Sequence, residues 1–86
     1  MRMDIYIARV WSYNSDAYTA SYNRDAALKA AEQYKAHLTP KELINHYVAL
    51  ETYKAVYTEL GRSAKRAYTE ALMADEIGEP DEYIPL

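Results

Sequence analysis

The sequence predicts an α+β domain in which a three-stranded antiparallel sheet of order 2-1-3 carries two helices, connected ββαβα. Three observations lead there. Residues 4 to 13 alternate between two largely apolar sides. A turn cluster separates them from a second tyrosine-rich run. Two Ala-rich segments with capping signals then flank a third run dense in strand formers.

In the first run Ile5, Ile7, Arg9, Trp11 and Tyr13 fall on one side and Tyr6, Ala8, Val10 and Ser12 on the other. Apolar residues on both sides suit a central strand covered on two faces, or covered on one and offered to a partner on the other. Asn14-Ser15-Asp16 is a turn cluster, and Tyr18 to Tyr22 follows as the second strand of a hairpin. Asn23 is the expected N-cap of the first helix, with Asp25 near its positive end and Lys35 and His37 near its negative end. Its apolar stripe, Ala27, Ala30, Ala31, Tyr34 and Leu38, is mostly small and suits close packing on a sheet.

Pro40 ends that helix, and Thr39-Pro40-Lys41-Glu42 has the capping-box pattern of a new helical start. A helix over residues 40 to 60 would align Leu43, Tyr47, Leu50, Tyr57 and Leu60, which defines the alternative fold, an N-terminal hairpin followed by a mostly helical remainder. Residues 47 to 58, however, are rich in Tyr, Val and Thr, and an isolated hairpin is marginal in water. A third strand is therefore expected there, with one helical turn at residues 40 to 45. A right-handed crossover through the helix places this strand on the far side of the first, so that all neighbours are antiparallel. Ser63 is expected to cap a last helix through Ala64, Ala67, Tyr68, Ala71 and Leu72, ending near Gly78. Residues 77 to 86 read as an acidic C-terminal tail on a single domain spanning 1 to 86, with Tyr83-Ile84-Pro85-Leu86 able to lie extended in a groove or along a sheet edge.

Composition narrows the function. Of the 86 residues 14 are Ala and 10 are Tyr, only 15 are Val, Ile or Leu, and Phe is absent, so the core must be thin and partly built from tyrosine. The hydroxyls place those rings at the core margins, and a thin core in a short chain favours a homodimer. With no cysteine there is no disulfide framework, which points to an intracellular, cytoplasmic protein. The net charge of -3 and the acidic last residues weaken the case for nucleic acid.

Catalytic and metal-binding constellations are not recognisable. The two histidines, His37 and His46, stand nine apart with no thiol partners, and the two glycines, Gly61 and Gly78, form no phosphate loop. The expectation is a protein without enzymatic activity, cofactor or metal. The aromatic residues carry the binding hypothesis, since Trp and Tyr with a nearby Arg match the composition of interface hot spots. The partner-binding candidates are Arg9, Trp11, Tyr13, Tyr18, Tyr53, Tyr57, Asp81, Glu82 and Tyr83, with at least half of the strand aromatics expected to pack under the helices. The alternative is a nucleic-acid contact through Arg62, Lys65 and Arg66, set against their pairing with Glu59 and Glu70 on a solvated helix face.

In organisation, the tyrosine-rich hairpin and Ala-rich helix from Tyr18 to Leu38, followed by Thr39-Pro40-Lys41-Glu42, resemble small accessory proteins of bacteriophages and mobile elements, anti-CRISPR inhibitors among them. The likeness covers residues 4 to 58 and transfers no functional residue. It implies a phage-encoded inhibitor in a bacterial host cell that occludes a nuclease or its nucleic-acid-binding surface.

Overall fold

The computed structural model describes residues 1–86 and contains two helices and one antiparallel sheet. Strand β1 (Arg2–Ser12) turns through Tyr13 and Asn14 into β2 (Ser15–Ser21), so the tight turn lies one residue earlier than the Asn14-Ser15-Asp16 cluster suggests. Helix α1 (Arg24–His37) follows, then a single 3-10 turn at Glu42–Ile44, β3 (Tyr47–Tyr57), α2 (Ala64–Met73) and β4 (Glu82–Pro85). The sheet order is β2-β1-β3-β4 with every neighbouring pair antiparallel. The expected 2-1-3 arrangement is present, but the sheet has four strands. Part of the segment read as a tail is the fourth.

Local chemistry accounts for the ends of the elements. The Asn23 side chain accepts from the Ala26 N–H and opens α1. Thr39 and Glu42 form the reciprocal capping pair, the Glu42 N–H donating to Thr39 Oγ1 at 3.2 Å and the Thr39 N–H to Glu42 Oε1 at 3.0 Å. The Thr39 backbone N–H at its carboxylate, followed by the Thr39 side chain, holds Glu42 below its ordinary value. Ser63 accepts from the Arg66 N–H and opens α2. This helix ends at Met73, short of Gly78, because Asp75 adopts a left-handed conformation (φ 59°). The Asp75 and Glu76 N–H groups then bond back to Leu72 and Ala71 as a Schellman closure.

β4 exists because β3 would otherwise present an open edge. The Asp81 and Leu86 N–H groups bond to the Thr52 and Val48 carbonyls, Asp81 Oδ2 accepts from the Lys54 N–H at 2.7 Å, and Glu82 pairs with the Lys54 ammonium at 3.2 Å. A bulge lies on the other side of β3, where Lys54 and Ala55 together oppose Asp4 of β1. Ala55 takes φ 55° there, and its N–H donates to Asp4 Oδ1. The extra residue shifts the alternation, so that Tyr53 and Val56 both point to the same face.

The helices cover opposite faces. α1 lays Ala27, Ala30, Ala31, Tyr34 and Leu38 against the face carrying Ala8, Val10 and Val48. α2 lays Ala64, Ala67, Tyr68 and Ala71 against Ile5, Ile7, Tyr53 and Val56. The core is small, as the composition implies: 17 of 86 residues are buried, and 14 of these are hydrophobic. Tyr53 and Tyr68 lie inside it at 5% and 2% exposure, not at its margin. Their hydroxyls meet polar groups of the sheet, Tyr53 donating to Glu51 and Tyr68 accepting from Arg9.

Candidate functional site

The site lies on the part of one sheet face that α2 does not occupy. α2 packs on Ile5, Ile7, Tyr53 and Val56, and its Tyr68 hydroxyl reaches as far as Arg9. Trp11, further along the same face, lies outside that cluster. The register places Trp11 opposite Tyr47 and Asp16, Arg9 opposite Ala49 and Tyr18, and Ile7 opposite Glu51, which in turn faces Tyr83 on β4. All of these side chains share the α2 face.

On the part of this face beyond α2 the aromatic rings gather. Trp11 stacks on Tyr47 with centroids 5.6 Å apart and planes at 30°, and reaches Tyr83 at 6.5 Å with a 58° tilt. The diagonal from Trp11 to Tyr83 crosses Ala49, which is fully buried, and a small residue there lets the two rings approach over the sheet. Tyr47 and Tyr83 are 58% and 49% exposed, so rings that could pack inward remain in water. Tyr13, in the adjacent turn, is fully exposed. On the α1 side, a cleft of about 310 Å³ bounded by Leu38, Leu43, His46, Tyr47, Tyr83 and Leu86 extends this apolar surface.

Beneath the rings lies a polar network. Arg9 Nη2 donates to the Tyr68 hydroxyl at 2.8 Å, Arg9 Nε lies 3.5 Å from Glu51 Oε1, and Nη1 lies 3.7 Å from Asp16 Oδ2. The Tyr53 hydroxyl donates to Glu51 Oε1 at 3.3 Å. Burial alone would lower Arg9, but Glu51, Tyr68, Asp16 and Tyr53 together outweigh it and raise the guanidinium above its ordinary value. Burial, the hydrogen bond with Tyr68 and the adjacent Glu51 charge push Tyr53 well above the usual tyrosine range. Within this network the Tyr53 phenol is kept protonated.

Of the nine candidates, Arg9, Trp11 and Tyr83 come together on this part of the face with Tyr13 beside them. Tyr18 lies at its border, half-buried edge-on to Tyr68 with Arg9 and Lys65 over its ring at 5.7 and 5.8 Å. Tyr53 is a core residue and leaves the surface set. Tyr57 sits at the far end of β3 under Arg2 (5.9 Å), while Asp81 and Glu82 anchor β4 to β3. Tyr47, Glu51 and Tyr68 belong to the site and were missed by sequence reasoning. The available signal was the alternation of β3, which puts Tyr47, Glu51 and Tyr53 on one side and leaves a lone carboxylate among apolar neighbours.

The basic face is largely neutralised. Arg62 pairs with Glu59 at 3.0 Å and Glu70 at 2.7 Å, and Arg66 pairs with Glu70 at 2.8 Å; this bond with Glu70 raises Arg66 above its ordinary value. Arg62 is itself mostly buried, its carbonyl accepting from the Tyr22 hydroxyl. No group of three His, Cys, Asp or Glu side chains is placed to hold a metal ion, and no helix is long and apolar enough to cross a membrane. Comparison of the chain with protein-family models, with curated proteins and with solved structures gives no match.

Proposed function

We propose that this domain is a non-enzymatic protein-binding module whose contact surface is the sheet face around Trp11, Tyr47 and Tyr83. One observation carries the reading: three aromatic rings cluster on a sheet face, Tyr47 and Tyr83 exposed and Trp11 half-buried between them, outside the part of that face on which α2 packs. Rigid aromatic rings supply large contact area at low entropic cost, and hot spots are enriched in Trp, Tyr and Arg. Arg9 beneath them is tied to Tyr68 on α2 at 2.8 Å, and a surface anchored to its core in this way lowers the cost of association. The mode of action consistent with the phage-protein resemblance is inhibition of a host defence complex by steric occlusion, and this remains part of the proposal.

The test is affinity capture from a bacterial lysate with the wild type and a Trp11→Ala, Tyr83→Ala variant, both first shown to melt cooperatively. Loss of a partner from the variant supports the reading; identical partner sets for the two proteins refute it. A second copy of the chain is the competing occupant, and a dimer in light scattering that the same substitutions dissolve would assign the surface to self-association. Nucleic-acid binding through Arg62, Lys65 and Arg66 would show as affinity that falls steeply with salt. The ion pairs with Glu59 and Glu70 weigh against it.

A further inference from the structure

Beside the rings is a cleft of about 240 Å³, walled by Trp11 and Tyr83 and floored by Arg9, Asp16 and Glu51. Its size is below that of typical small-molecule pockets, about 300–1,000 Å³, and suits one side chain of a partner. Its charge is unbalanced. Two carboxylates face a single guanidinium, one acidic side chain in excess. The guanidinium is also committed elsewhere: its 2.8 Å bond goes to Tyr68, away from both carboxylates, which it meets only at 3.5 and 3.7 Å. Bidentate pairs are tighter, about 2.7–2.9 Å.

Glu51 is the informative residue. Its side chain is only 10% exposed, yet it lines the cleft, and only its Oε1 accepts a hydrogen bond. Oε2 accepts none, and it is not among the oxygens sealed from solvent, so a buried carboxylate turns an unpaired oxygen to the cleft. The one sealed and unpartnered polar atom is Arg9 Nε, which no ligand can reach. An anion entering here would meet two carboxylates against the single Arg9 guanidinium, on whose charge both already draw. Lys65, the next nearest cation, lies over Tyr18 and does not line the cleft.

Resting on the protein-binding reading above, we propose that this cleft receives a cationic side chain, lysine or arginine, presented by the partner protein. The cation lies within reach of the Trp11 and Tyr83 rings that line the cleft, and their quadrupoles attract it. Glu51 Oε2 and Asp16 supply its counter-charge and hydrogen bonds, while the methylene stem lies against the indole. The aromatic platform then provides contact area, and the cleft provides selection for a basic residue.

Trp11 is the only tryptophan, so its fluorescence and its indole N–H resonance report on the cleft directly. N-acetyl-arginine amide and N-acetyl-lysine amide are titrated against the purified protein, with N-acetyl-citrulline amide as the neutral isostere of arginine. The expected result is a saturable change with one or both cations, their ratio identifying the preferred head group, and an affinity about tenfold weaker for citrulline. Glu51→Gln weakens cation binding by about tenfold, and Asp16→Asn, at an exposed position that leaves folding undisturbed, by about two- to threefold. If Glu51→Gln does not fold, Asp16→Asn decides. Equal responses to citrulline and arginine, unchanged cation affinity in the folded variants, or no saturable change at all overturns the proposal. A flat titration does so even where partner capture still depends on Trp11 and Tyr83, and in that case the protein-binding reading stands without the cationic occupant.

Discussion

Replacing Tyr53 by Phe should change how stability responds to alkali more than it changes stability at neutral pH. Tyr53 is 5% exposed and its hydroxyl donates to Glu51 at 3.3 Å, so ionising it would place an anion beside a buried carboxylate. Its folded value is raised above the ordinary 10.0, which an unfolded chain retains. Above about pH 10 the unfolded state therefore loses this proton while the native state keeps it, and stability falls by about 1.4 kcal/mol per pH unit. This contribution is fully present below the unfolded value and is lost as pH rises toward the folded one. At neutral pH the Phe variant loses only a long hydrogen bond, about 1 kcal/mol. The two stability curves should cross near about pH 10.7, above which the variant is the more stable protein. Urea unfolding followed by far-UV circular dichroism from about pH 8 to 11.5 measures both slopes, and the other titrating side chains cancel in the difference. Parallel curves, with a constant offset through pH 11, would refute the reasoning.

Two further substitutions test the packing and the bulge. Ala55→Gly releases a left-handed alanine (φ 55°) and should stabilise by about 0.5–1 kcal/mol, the relief of about 1–2 kcal/mol being partly offset by the greater freedom of an unfolded glycine; an unchanged or lower urea midpoint counts against strain at the bulge. Ala31→Leu forces a larger side chain into the fully buried contact between α1 and the Ala8–Val48 region, and should destabilise by about 1–3 kcal/mol in thermal or urea unfolding.

The elements legible in the sequence are those whose signals are local. Asn23 before α1, Thr39 with Glu42, and Ser63 before α2 act through side chains within three residues of the groups they satisfy, and each makes the expected hydrogen bond. β3 was readable from its density of Tyr, Val and Thr. β4 was legible only as a segment able to lie in a groove or along a sheet edge, because its two strand formers, Tyr83 and Ile84, stand between Glu82 and Pro85; it is a strand because the free edge of β3 satisfies its backbone. The early end of α2 was hidden for a similar reason, since an aspartate in the left-handed region is less recognisable as a stop than the glycine three residues later.

The aromatic surface divides along the same line. That Trp11 and several tyrosines would lie on strands, and that some would be core, followed from alternation and composition, which depend only on neighbours in the chain. Which rings remain outside depended on tertiary contacts. Tyr53 is buried because α2 lands on it, and Trp11 is only half-buried because it lies outside the α2 cluster. Tyr83 joins Trp11 only through the β3–β4 register, and Glu51 meets Arg9 only through the β1–β3 register. Residues 72 and 42 positions apart in the chain become neighbours through backbone ladders, whose register is set by the core as a whole, so no local pattern could announce the site.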